Sequence, residues 1–360
     1  DLDPAWLAFG GLALVATVVV LIAGRSTTFF FDEWTWIVER RNLTIDTLLV
    51  PHNEHLSAVP VTIFWSLFHT VGLTYWPYRL MVALGNVGVA ALVFAYLRKR
   101  MQWGFAIAAA ALVLFFGAAF QVLLWPFEVS WCLGLGGVLG VLLLLDRRSR
   151  RCDVAAMFVG AIALASFGLS VPLFALIGGG LVLERQWRRL WVVGAPLALY
   201  ALWYVKYGTR TGRADGVIGT TRWLVDFAGA SVGGVLGLGR TIGIVLLLPL
   251  AVVAVWGVVR ATPERRPRVL VLIAMPIAYW VMIAVGRSGM QEPGTSRYLY
   301  AGGILVLVAV GECCAGLRAT RPVAMVIAAV TTFAVVAGTV DLFRGGDDLR
   351  EISRQTMATM

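Results

Sequence analysis

The sequence predicts an all-α, polytopic membrane protein, and three observations predict it. Hydrophobic residues fill 59% of the 360 positions and charged residues only 14%, against about 25% charged in soluble domains. Apolar runs close to the roughly 20 residues that cross a bilayer recur along the whole chain. The two-residue alternation of a membrane barrel is missing. Mean hydropathy is accordingly high, at +0.83.

About eleven transmembrane helices are expected. The first covers 5–24. Residues 60–73 are apolar but short, and 77–97 form the second span. The third and fourth are placed at 104–119 and 129–145, and the fifth and sixth share 154–183 with a bend at 167–170. The rest are expected at 190–206, 241–259, 269–286, 298–315 and 322–340. Glycine-rich runs such as GLGLGGVLG lie inside spans and read as close helix packing. The whole chain, 1–360, reads as one transmembrane domain, with 25–76 as an outer loop carrying juxtamembrane helices and 207–236 as a second outer loop. The chain opens at Asp1 without Met and closes in polar sequence, so a further C-terminal extracytoplasmic part is expected beyond it.

Charge sets the orientation. The formal net charge is +10. If 60–73 dips in and returns, the short loops 98–100, 147–151, 185–189, 260–268 and 318–321 share one side and hold sixteen of the thirty basic residues. That is the positive-inside pattern, and it accounts for the basic balance with no nucleic acid partner. The N-terminus is then cytoplasmic, the C-terminus is outside, and the loops around Asp32, Glu128, Arg213 and Arg297 all face outward. High Val, Ala, Gly and Arg usage suits a bacterial plasma membrane. The four cysteines have no zinc-type spacing and read as small apolar side chains.

The outer loop at 25–60 is the main polar interruption early in the chain. It carries five of the twenty acidic residues and two of the three histidines. Ionisable groups between apolar spans point to work on the water side. Asp32 and Glu33 follow FFF and precede WTW; a carboxylate there serves as a general base or a metal ligand, or is an interfacial group in an aromatic belt. His52, Glu54 and His55 suit a metal or a phosphate, or a polar entry to the next helix. Glu128 in WPFEVSW is either a site carboxylate or a helix-start acid. Arg297, with Tyr298, suits a phosphate because its planar fork binds oxygens in pairs, or it snorkels to the headgroups. Arg210, Arg213 and Arg222 form a vaguer basic group that departs from the positive-inside trend. Trp34, Trp36, Trp76, Trp125 and Trp131 suit a sugar face or an interfacial belt.

The order of these parts resembles the GT-C superfamily of membrane glycosyltransferases, in particular the branch with the protein O-mannosyltransferases and the lipid A aminoarabinose transferase. The segments that carry the resemblance are FFFDEW, PHNEHLSAVP, VTIFWSLFHTVGL and PYRLMVALGNVGVAALVFAYLRKR, then WPFEVSW and SRYLYAGGILVLVAVGE. It covers 1–185 well, 186–286 loosely and 287–315 fairly. The chain departs from the family at Glu54-His55-Leu56-Ser57, where His-Pro-Pro or Glu-Lys-Pro is common, and at Glu128, where Asp is frequent.

The resemblance implies an inverting glycosyltransferase that moves a sugar from a polyprenyl-phosphate donor to an extracytoplasmic glycan, glycolipid or protein. Asp32 would be the base, supported by Glu33, and Glu128 would orient substrate or a metal. His52, His55, Arg297, Tyr298 and Arg213 would serve the donor phosphate. Glu54 would be a ligand if a divalent metal, Mg or Mn, takes part. The competing readings are a lipid-linked-sugar transporter or flippase, and a non-catalytic subunit of an envelope assembly. A transporter favours ionisable groups at mid-membrane, whereas here the polar residues gather at one face.

Overall fold

The computed structural model describes residues 3–209 and 212–359. Among them the secondary structure is helical throughout, apart from a single antiparallel bridge between His52 and His55.

Helix α1 (Pro4–Ala23) opens on Asp3, whose carboxylate caps the Ala5 N–H at 2.9 Å and pairs with Arg98. A side-chain cap of this kind satisfies one of the free N–H groups of a helix start. The chain then builds three short helices, α2 (Asp32–Val38), α3 (Ile45–Leu49) and α4 (Ala58–Val71), before the long α5 (Trp76–Arg98). Both ends of α4 lie at the same end of the bundle. Its start is tied to the end of α9 (Arg150–Leu164) by Val59 N–H to the Ala165 carbonyl, 3.2 Å. Its end turns at Gly72, where φ is +59°, directly into α5. The 60–73 segment therefore returns, as its length led one to expect.

Helices α6 (Trp103–Leu114), α7 (Phe120–Leu124) and α8 (Val129–Leu145) follow, with 3-10 turns at Gly117–Ala119 and Pro126–Glu128. Helix α8 packs on α9 through its glycines: a Cβ at Gly137 would collide with Ala163. Next come α10 (Val171–Leu183) and α11 (Trp191–Tyr207). Among the described residues, eight helical stretches are long and apolar enough to cross a membrane, while α9, α10 and α11, at 15, 13 and 17 residues, are shorter.

Two segments differ from the sequence reading. The expected outer loop at 207–236 is mostly helix, α12 (Gly216–Val235), which runs into α13 (Gly239–Arg260). The two meet backbone to backbone through Gly229, Gly233, Gly239 and Gly243, a contact that side chains at these positions would block. After α14 (Arg266–Arg287) and α15 (Ser296–Cys313), the last helix α16 (Arg321–Thr359) continues through the polar stretch expected to be a tail. Its second half lies over the end of α1, where Arg350 donates to the carbonyls of Ala23 (2.9 Å) and Arg25 (3.2 Å).

The basic loops gather at the opposite end of the bundle from Asp32. There Arg100 joins Asp146 (3.1 Å) and Glu312, Arg265 joins Glu312 (3.0 Å), and Arg268 joins Asp146 and donates to Tyr96 Oη at 3.0 Å. This network locks α5, α8, α14 and α15 together.

Candidate active site

A cavity of about 250 Å³ opens at the end of the bundle where the acidic loop folds. Five segments distant in sequence build its polar wall: Asp32 from α2, His52 and His55 from the turn before α4, Glu128 from the turn before α8, Arg287 from the end of α14, and Arg297 from α15.

Asp32 is the first residue of α2, where the helix N-terminus favours a carboxylate. The residue before it, Phe31, has φ +47°, a conformation that costs a non-glycine side chain energy and is held here by its surroundings. Asp32 is 32% exposed to the cavity, and its Oδ1 lies 3.4 Å from His52 Nε2. His52 and His55 face each other across a two-residue turn closed by paired backbone hydrogen bonds of 2.9 Å. Asn53 and Glu54 occupy the turn with φ of 46° and 74°, the left-handed pair that such a tight hairpin requires. His55 stacks edge-on against Phe167, and burial, with Arg287 close by, pushes its pKa down to about 4. It is a neutral imidazole at physiological pH.

Glu33 points elsewhere. It is fully buried and absent from the cavity wall, accepting from Phe30 N–H (3.1 Å) and Tyr75 Oη (3.1 Å). Burial outweighs those donors and pushes its pKa up to about 8. Its visible work is to anchor the start of α2 against Tyr75, which leads into α5.

Glu128 is almost fully buried and accepts from Trp131 Nε1 at 2.7 Å, one helical turn on. Its other oxygen makes no hydrogen bond within the described protein and lies 3.6 Å from Arg297 Nη1. Arg297 is fixed from below: its N–H donates to Gln121 Oε1 (3.3 Å), and the neighbouring Ser296 Oγ accepts from Gln121 N–H (3.1 Å). Tyr298 lines the cavity, and its carbonyl accepts from Tyr279 Oη at 2.6 Å. Trp36, Phe127, Trp131 and Phe167 supply aromatic wall.

Arg213 is not brought into the cavity. It is exposed, and its backbone pairs with Gly286 and Gly289, strapping this segment to the end of α14. Arg210 lies outside the described residues. Arg287 stands in the cavity wall instead, an arginine that the sequence marks only as the end of a span. Glu54 holds it: one oxygen accepts from Arg287 Nη2 (3.3 Å) and the other from Gly212 N–H (2.5 Å). Among the described residues, no three His, Cys, Asp or Glu side chains come together in metal-binding geometry. Both Glu54 oxygens are engaged by Arg287 and Gly212.

No protein-family model matches the sequence, and no curated protein matches it. Among solved structures, the chain is similar to ArnT from Cupriavidus metallidurans, in a crystal structure bound to undecaprenyl phosphate. The match covers 99% of this chain and 78% of that one, at a TM-score of 0.57 and 15% identity. The chain has a GT-C fold. The GT-C match spans the chain nearly end to end and so takes in every element that contributes to the cavity. At this identity it speaks to the architecture, and the chemistry rests on the residues described above.

Proposed function

We propose that this chain is an inverting glycosyltransferase of the GT-C type, moving a sugar from a polyprenyl-phosphate donor to a hydroxyl of a glycan, glycolipid or protein. The observation that carries this reading is that a partly exposed carboxylate, Asp32, and a guanidinium, Arg297, line one cavity at one end of a GT-C fold. The ArnT structure holds undecaprenyl phosphate, and the donor class is taken over from it.

The residues suit a single displacement. The acceptor oxygen attacks the anomeric carbon while Asp32 takes its proton. The bond from that carbon to the phosphate oxygen breaks, and polyprenyl phosphate leaves as an anion. Attack from the face opposite the phosphate inverts the configuration. A fixed cation at the leaving oxygen lowers the barrier because it is in place before charge develops. Arg297 and Arg287 are the cations of the cavity wall. No second acid is needed, since phosphate leaves without a proton. The aromatic wall offers faces for the sugar ring.

A transporter reading finds less support. The buried polar groups between α5 and α15 satisfy one another, Tyr300 Oη donating to Asn86 Oδ1 at 2.9 Å. The basic loops support an orientation with the N-terminus in the cytoplasm and the cavity on the outer face of a bacterial plasma membrane. Transfer from a radiolabelled polyprenyl-phosphate sugar by the purified chain, compared with Asp32→Asn, tests the proposal. Folded Asp32→Asn with undiminished transfer would overturn it.

A further inference from the structure

A second polar cavity, of about 280 Å³, lies at the opposite end of the bundle from Asp32, between the ends of α8, α10 and α14. Nothing in the transfer reaction uses it. Its floor is apolar, with Leu142, Ile177, Leu181 and Val271. Its mouth carries Arg148, Arg189, Arg265 and Arg268, with Asp146, Glu184 and Glu264 among them.

Two of these guanidiniums are held rigidly by the protein. Arg189 donates to Asp153 (3.1 Å), the Leu145 carbonyl (3.0 Å) and Gln186 Oε1 (2.6 Å). Arg268 uses Nε on Tyr96 Oη and Nη1 on Asp146, while its Nη2 makes no protein hydrogen bond among the described residues. Arg148 is different: it is exposed, with no ion pair among the described residues, and its φ is +45°. Arg185, at the end of α10 beside the same cavity, has φ +57°. Both occupy helix-ending positions where the backbone favours glycine. The chain thus puts guanidiniums at two turn positions that an arginine backbone adopts only under strain. The surrounding loops keep an excess of positive charge: 147–151 holds four basic residues, 185–189 three and 260–268 four, against Asp146, Asp153, Glu184 and Glu264.

We propose that this cavity binds a phosphate-bearing headgroup, that of an anionic phospholipid of the cytoplasmic leaflet, with the upper part of an acyl chain on the apolar floor. An apolar floor below a cationic mouth at headgroup depth fits an amphiphile with a negative head. Arginine suits it because its fork binds two phosphate oxygens at once. Arg148 and Arg268 Nη2 are the groups that meet the phosphate.

Native mass spectrometry of the full chain, with phosphatidylglycerol or phosphatidylcholine added at equal concentration, tests this. The readout is lipid retention, so it stands or falls independently of transferase activity. The wild type is expected to retain phosphatidylglycerol about tenfold more than phosphatidylcholine. Arg148→Gly removes the guanidinium and also relieves the strained backbone, so it is expected to fold and to lose most of that preference. Arg150→Gln, at the start of α9 and outside the cavity wall, is expected to keep it. Equal retention of the two lipids, or equal loss in both variants, overturns the proposal. Displacement of phosphatidylglycerol by millimolar inorganic phosphate would show that the site takes soluble phosphate and overturn the lipid assignment.

Discussion

His52 Nε2 lies 3.4 Å from Asp32 Oδ1, and among the described residues it makes no hydrogen bond, although it is buried. The separation is just beyond a good hydrogen bond, so a small shift on substrate binding closes it. His52 is therefore placed to orient the base. Asp32→Asn is expected to lower transfer by about 100-fold or more, the scale of a lost general base. His52→Ala is expected to lower kcat by a smaller factor and to change the pH profile of transfer, with KM for the donor little changed. A rise in donor KM alone would place His52 on the phosphate instead.

The Glu128–Arg297 pair makes opposite demands on its two members. Arg297→Ala leaves a buried carboxylate without its cation, a loss on the order of 3–5 kcal/mol for a buried pair. It is expected to lower the melting temperature and to weaken polyprenyl phosphate binding. Glu128→Gln keeps the Trp131 contact and is expected to melt close to the wild type. The double variant should recover part of the stability but not the binding. Thermal melts and lipid binding on the three variants check this, and unaltered binding in Arg297→Ala would remove it from the phosphate site.

Glu33 and His55 pull stability in opposite directions with pH. Glu33 has a folded pKa of about 8, above the usual 4.5. Its contribution is full below 4.5 and falls as pH rises toward 8, because the unfolded chain then sheds the proton that the buried group keeps. His55 has a folded pKa of about 4, below the usual 6.5. Its contribution is full above 6.5 and falls as pH drops toward 4. Glu33→Gln should flatten the decline in melting temperature between pH 6 and 8, and His55→Gln the decline between pH 6.5 and 4. Melting curves across that range decide both.

Glu54 ties Arg287 and Gly212 to the histidine turn. Glu54→Gln retains an acceptor for Gly212 N–H but loses the charge opposite Arg287. It is expected to lower transfer several-fold and to leave the melting temperature within a few degrees. Glu54→Ala should lower both. A profile in which both variants regain activity with added Mn or Mg would assign Glu54 to a metal.

Much of the architecture was legible before any coordinates. The apolar runs marked the helices, and the basic loops sorted their ends, which is why Asp32, Glu128 and Arg297 already fell on one side. The 60–73 helix was readable as returning from its length and from the charge it kept in register. Other features depend on contacts between distant residues. Glu33 and Asp32 are adjacent in sequence, yet only the fold shows that one is sealed against Tyr75 and the other opens to the cavity. Arg287 meets Glu54 across 233 positions, and no local pattern announces it. The Trp131–Glu128 contact spans one helical turn and was available to a closer reading. Helix α12 was hidden because Arg213 and Arg222 read as a polar loop, while the glycines that seat it on α13 show their use only in that contact.

The last helix also bears on how the molecule is made. Arg350 closes the carbonyls at the end of α1, on the stretch that leads into Asp32. Synthesis delivers the base long before its brace. A nascent chain released short of residue 350 would hold every cavity residue yet lack the clasp that sets the approach to α2. Completion of the active site in this sense waits for the synthesis of α16.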